Sequence, residues 1–148
     1  MKILLLLAPL AALALCGCAA AKPAPQMANG ELAPCPGSPN CVSSLAKESS
    51  RYIAPIAFNT DPKSAMERLA KVIAAMPNAK IEKQGPELIE ASFKSKVFGF
   101  VDDLTARMDA ANNRIEVRSA ARSGYYDFGV NRSRLEKIRK AFAEGANP

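Results

Sequence analysis

The sequence predicts an α+β fold, an antiparallel sheet of about five strands with two helices packed on one face. Three observations carry this. Two segments repeat apolar residues every three or four positions, while others alternate apolar and polar residues between turn formers. The elements run strand, helix, four strands, helix, which is not the strict alternation of a parallel βαβ sheet. Of the 148 residues, 49% are apolar and 23% charged, a balance suited to one globular domain and not to a disordered chain.

Residues 52–58 (YIAPIAF) read as a short edge strand, because Pro55 has no N–H for a central ladder. Asp61-Pro62 opens a helix as cap and first-turn proline. Met66, Leu69, Ile73 and Met76 form its apolar stripe, Lys63, Glu67, Arg68 and Lys71 its wet face, and Pro77 ends it. Ala79–Gln84 and residues 87–95 flank Gly85-Pro86 as a hairpin, with Ile89, Ala91 and Phe93 on one face. Residues 97–101 (VFGFV) are more apolar than a turn should be. A strand continuing into the core is the preferred reading, and an aromatic tip facing membrane or ligand is the other.

The next hairpin can be registered from its charges. Leu104, Ala106 and Met108 alternate inward, as do Ile115 and Val117 on the partner strand. One register sets Arg107 opposite Glu116 and Asp109 opposite Arg114, with residues 110–113 as the turn. The tighter alternative opposes Asp109 to Glu116 and Arg107 to Arg118. Like charges directly opposed destabilise a pair of strands, so the first register is expected, with Asp103 diagonal to Arg118 on the outward face. Gly124 and Gly129 then break the pattern, and Asn131 is expected to cap a final helix carrying Leu135, Ile138 and Phe142 on one side.

The N-terminus gives an address. Lys2 precedes a run from Ile3 to Leu15 that is apolar apart from Pro9, the pattern of a secretory signal peptide. Its end, Leu15-Cys16-Gly17-Cys18, resembles the bacterial lipobox, with Cys18 as the residue acylated by diacylglycerol and palmitate after removal of residues 1–17. An uncleaved span is the alternative, but the second half of the run is only weakly apolar. Either way the remaining chain is expected outside the cytoplasm and tethered to a membrane. Ala19 is not the aspartate that retains some lipoproteins in the inner membrane, so a periplasm-facing position at the outer membrane is preferred. Residues 19–34, rich in proline and alanine, read as a flexible linker, and a single globular domain follows from residue 35.

Cys35 and Cys41 bracket Pro-Gly-Ser-Pro-Asn, which in an oxidising compartment reads as a disulfide-closed loop. There is no histidine, which excludes His-dependent triads and His-ligated zinc, and the cysteine spacing suits no metal motif. No cofactor is expected. The formal net charge of +6 falls to +5 once residues 1–17 are removed. Outside the cytoplasm this favours an anionic lipid, glycan or peptidoglycan component over nucleic acid.

One stretch concentrates chemistry. Arg118, Ser119, Arg122, Asp127, Asn131, Arg132 and Arg134 cluster around two glycines, and Asp102 and Asp103 lie near in the predicted hairpin. Arg132 and Arg134 stand in a helix first turn, where the macrodipole disfavours cations by ~0.3–1 kcal/mol each. They therefore need partners: the aspartates, in a structural network, or an anion bound jointly with the helix N-terminus.

Three motifs together resemble the domain-of-unknown-function family 1499. They are Cys-Pro-x-Ser-Pro-Asn-Cys-Val-Ser-Ser at 35–44, Asp102-Asp103 after an aromatic-glycine-aromatic step, and Arg-Ser-x-x-Arg-x-Gly-x-x-Asp-x-Gly-x-Asn-Arg-x-Arg at 118–134. The resemblance implies a compact domain found in lipoproteins or membrane-associated bacterial proteins, with no catalytic residues to carry over. Ala121 stands where a serine is expected, and Arg51 where histidine is common.

The preferred function is a noncatalytic envelope lipoprotein that binds a ligand or partner through the Arg/Asp cluster. A hydrolase or transferase using Asp102 and Asp103 is the competing class. Adjacent strand residues point to opposite faces, however, and no nucleophile elbow, phosphate loop or zinc motif is present. A structural lipoprotein binding another envelope protein is the third. An apolar patch around Phe98 and Phe100 would favour assembly, and a concave polar pocket around Arg122 ligand binding.

Overall fold

The computed structural model describes residues 26–145. The signal sequence, the Cys18 lipidation site and the linker up to residue 25 lie outside the described residues. The main sheet has six strands: β3 (Cys41–Ser43), β4 (Ile56–Ala57), β5 (Ala79–Gln84), β6 (Leu88–Lys94), β7 (Val101–Asp109) and β8 (Arg114–Ala121). Its order is β3-β8-β7-β6-β5, all antiparallel, with β4 sharing the outer edge of β8 beside β3. A separate two-stranded piece, β1 (Met27–Ala28) and β2 (Glu31–Leu32), precedes it. Two helices, α1 (Pro62–Ala75) and α2 (Val130–Glu144), complete the α+β fold.

Local sequence explains the elements. Asp61 caps α1 by accepting the Ser64 N–H at 2.9 Å, Pro62 opens it and Met76 closes it. The β7–β8 hairpin takes the register its charges require, with Arg107 opposite Glu116 and Asp109 opposite Arg114. Arg114 bridges Asp109 at 2.9 Å and Glu116 at 2.7 Å. One core unites Met66, Leu69 and Ile73 of α1 and Leu135, Ile138 and Phe142 of α2 with the inward residues of β6, β7 and β8. Every residue of that buried cluster lies between Val42 and Phe142.

Three expectations need correction. Residues 97–101 do not continue a strand into the core: Val97 and Phe98 are 82% and 77% exposed at the tip of the β6–β7 turn. Asn131 is not the cap of α2. It is the second helical residue and fully buried, and the cap position falls to Gly129, whose φ of 76° suits a residue without a Cβ. Asp103 lies diagonal to Arg118 on the outward face as expected, and both are buried there, at 6% and 2% exposed. The reason is the third correction: residues 26–34, expected as linker, pack against the domain. Their β1–β2 turn lies over that face, with Leu32 and Ala33 buried. Gln26 accepts from Arg118 Nη1 at 2.9 Å and from Thr105 Oγ1 at 3.1 Å, and donates to Asp103 at 3.3 Å.

Candidate functional site

β7 begins where β8 ends. Asp102 pairs with Ala121, Arg122 donates its N–H to the Val101 carbonyl at 2.9 Å, and Lys94 pairs with Val101. The β6–β7 turn and the β8–α2 loop therefore emerge side by side at one end of the sheet, and the predicted site residues gather about them.

They form two networks, on opposite faces. On the helix side, Arg134 Nη2 reaches Asp102 at 2.6 Å, and its Nη1 donates to Asn131 Oδ1 at 3.0 Å and Ser119 Oγ at 3.4 Å. Its guanidinium also stacks 4.4 Å from the centre of the Phe93 ring. Ser119 donates to Asn131, and the Asn131 amide donates to Asp127 at 2.8 Å and to the Asn40 carbonyl at 3.4 Å. On the far side, Arg122 grips Asp103 through Nε and Nη2 in a bidentate pair, 2.8 Å at its closest. Arg118 lies buried beneath Gln26, and Arg132 stands apart, donating to the Ser50 carbonyl at 2.9 Å. Adjacent carboxylates thus face away from each other, each held by its own arginine.

The charges respond to these surroundings. The Asp103 carboxylate hydrogen-bonded to Arg122 raises that guanidinium's pKa, against a smaller opposing effect of burial. Burial pulls Arg118 down, and the charge of Asp103 offsets part of that. Burial also pushes Asp127 up, but the hydrogen bonds from Asn131 and Gly129 outweigh it and hold the carboxyl below its ordinary value. Asp127 is not an arginine's partner. Its two oxygens accept the N–H groups of Gly129 and Asn131, each at 3.0 Å, and so satisfy the start of α2.

Sequence reasoning missed two kinds of residue here. Asn40, 3% exposed inside the disulfide loop, donates to the Gly124 carbonyl at 2.6 Å and offers its own carbonyl to Ala121 and Asn131. The Cys35–Cys41 bond, formed as expected, anchors this clamp, and Arg51 donates to Gly37 within the same loop. The other miss is aromatic. Tyr125, Tyr126 and Phe128 are 73%, 58% and 86% exposed, and Phe128 sits in the left-handed region at φ 55°, unfavourable for a bulky residue. Three aromatics between two glycines, flanked by arginines, were the available signal. Tyr126 and Phe128 stack edge to face at 5.1 Å, and Phe98 and Phe100 pair at 5.8 Å.

Beside Phe128, a cleft of about 350 Å³ opens between Met76, Pro77, Phe93, Arg134 and Lys137. Among the described residues, no group of three or more cysteine or acidic side chains is placed to hold a metal, and no helix is long and apolar enough to cross a membrane.

No curated protein and no solved structure matches the chain. A family model, "Protein of unknown function (DUF1499)", matches residues 31–142, which include the disulfide loop, both networks and both helices apart from the last residues of α2. The chain belongs to that family, DUF1499.

Proposed function

We propose that the protein is a noncatalytic, lipid-anchored protein of the bacterial cell envelope. It is held by acylated Cys18, faces the periplasm, and has its preferred place at the outer membrane. Its domain binds through the aromatic, basic end of the sheet. The Arg/Asp networks brace that end and are not themselves the contact. One observation carries this reading: the acids there are already engaged inside the domain, Asp102 by Arg134, Asp103 by Arg122 and Asp127 by the start of α2, while the side chains that project are aromatic. Asp102 and Asp103 on opposite faces also share no position for a substrate, which disfavours an acid–base pair.

Native mass spectrometry of residues 19–148, exported to a periplasm and purified without detergent, tests the noncatalytic brace. A bare polypeptide, light by the hydrogens lost in the Cys35–Cys41 bond, is expected. A discrete co-purifying mass that disappears in a folded Arg122→Ala variant would instead make the networks a ligand site. The intact mass of the full chain after expression should carry acyl groups that Cys18→Ala lacks.

A further inference from the structure

We propose that the end of the sheet bearing the β6–β7 turn and the β8–α2 loop is a membrane-docking surface. It seats in the headgroup layer of the anionic bilayer that holds the chain's own lipid. This rests on the anchored reading above and adds which end of the domain meets the membrane.

Five observations converge. Among the described residues, seven of the nine large apolar side chains that are exposed lie in or beside these two loops, so they form a feature and not the usual scatter of single exposed hydrophobes. Phenyl rings at 98, 100 and 128 stand with the amphipathic rings of Tyr125 and Tyr126, the mixture that settles at the boundary between lipid and water. Phe128 carries an unfavourable backbone conformation yet is 86% exposed, so its ring gains no core packing in return.

The charge matches the surface. Residues 94–101 and 122–134 hold two lysines and three arginines against one aspartate, Asp127, which is committed to α2. Lys94 and Lys96 are exposed, with no carboxylate in salt-bridge range among the described residues. Basic groups beside aromatic tips suit anionic headgroups.

Chain length brings the end to the membrane. Gln26 is bonded to Asp103 and Thr105, near the start of β7. Cys18 lies eight residues upstream, a reach of at most ~28 Å even when fully extended. The β7–β8 turn lies at the opposite end of β7, ~20 Å beyond Asp103. A lipid at Cys18 therefore holds the aromatic end near the bilayer more readily than the far turn.

The sequence has no tryptophan, so one introduced indole reports alone. Full-length chain carrying Phe98→Trp, Phe128→Trp or Ala111→Trp is reconstituted into phosphatidylethanolamine–phosphatidylglycerol vesicles, with and without bromine on the acyl chains. The docking surface requires emission from positions 98 and 128 to shift to shorter wavelength and be quenched by bromine. Position 111, in the β7–β8 turn, should remain unquenched. The intact mass of the same samples reads the anchor separately. Unquenched indoles at 98 and 128 on an acylated chain overturn the docking surface, leave the anchor standing and assign the aromatic end to a protein partner. Quenching at both positions on a chain without acyl groups supports the surface and overturns the anchor.

Discussion

Asn131 illustrates how a buried polar side chain can define a junction. Its amide has two donor hydrogens and a carbonyl acceptor, and the structure uses all of them: Asp127 and Asn40 receive, while Ser119 and Arg134 give. Asn131→Leu preserves volume but strands several buried groups at about 1–3 kcal/mol each. It is expected to lower unfolding free energy by roughly 3 kcal/mol, read from urea unfolding. Asp127 adds a pH signature. Its folded pKa lies below the ordinary 3.8, so in acid the unfolded chain binds the proton first. The contribution is fully present above the ordinary carboxylate range and is lost as pH falls through the depressed folded value. Asp127→Asn replaces one of the two accepting oxygens with an NH2 that cannot accept, so it should cost about 1 kcal/mol at neutral pH and show a shallower fall of melting temperature below roughly pH 4. Both residues stood out in the sequence, but with other roles. Asn131 looked like a cap because its type and place before the apolar stripe fit one; only the fold shows that Asp127 takes that work and draws Asn131 inward.

At the scale of elements, what was local was legible. Asp61-Pro62 at the start of α1 and the charge-matched register of β7 and β8 each follow from neighbours in sequence or from one facing strand. β3 was not legible, because a three-residue strand exists only through its pairing with β8. The covering of the Asp103 face was hidden for a related reason. Polar residues alternating outward imply solvent unless another segment supplies hydrogen bonds, and Gln26 sits in a stretch whose composition promises no core. The disulfide links these levels, since it fixes the loop that carries Asn40. Closing seven residues contributes about 2.4 kcal/mol in the loop-entropy model. Reduction should lower the melting temperature accordingly and raise amide exchange across residues 122–129, whereas exchange in α1 should hardly change.

For the whole molecule, the two arginine–aspartate pairs act as stays on either side of the sheet end, with the aromatic loops carried between them. The loops were readable as unusual in composition, but their exposure depends on α2 and β6 already filling the core around Phe93. Phe98→Ser with Phe100→Ser should change stability by less than about 0.5 kcal/mol, because both rings are exposed, lie outside the core and pair with each other, and chemical denaturation checks this. The braces should behave in the opposite way. Thermal unfolding of Arg122→Ala in the otherwise intact chain distinguishes brace from binding site most directly. Loss of the guanidinium leaves Asp103, 6% exposed, without its bidentate partner, and a deficit of about 2 kcal/mol lowers the melting temperature by roughly 8 °C. An unchanged melting temperature would contradict the brace and mean that Arg122 is held ready for a ligand.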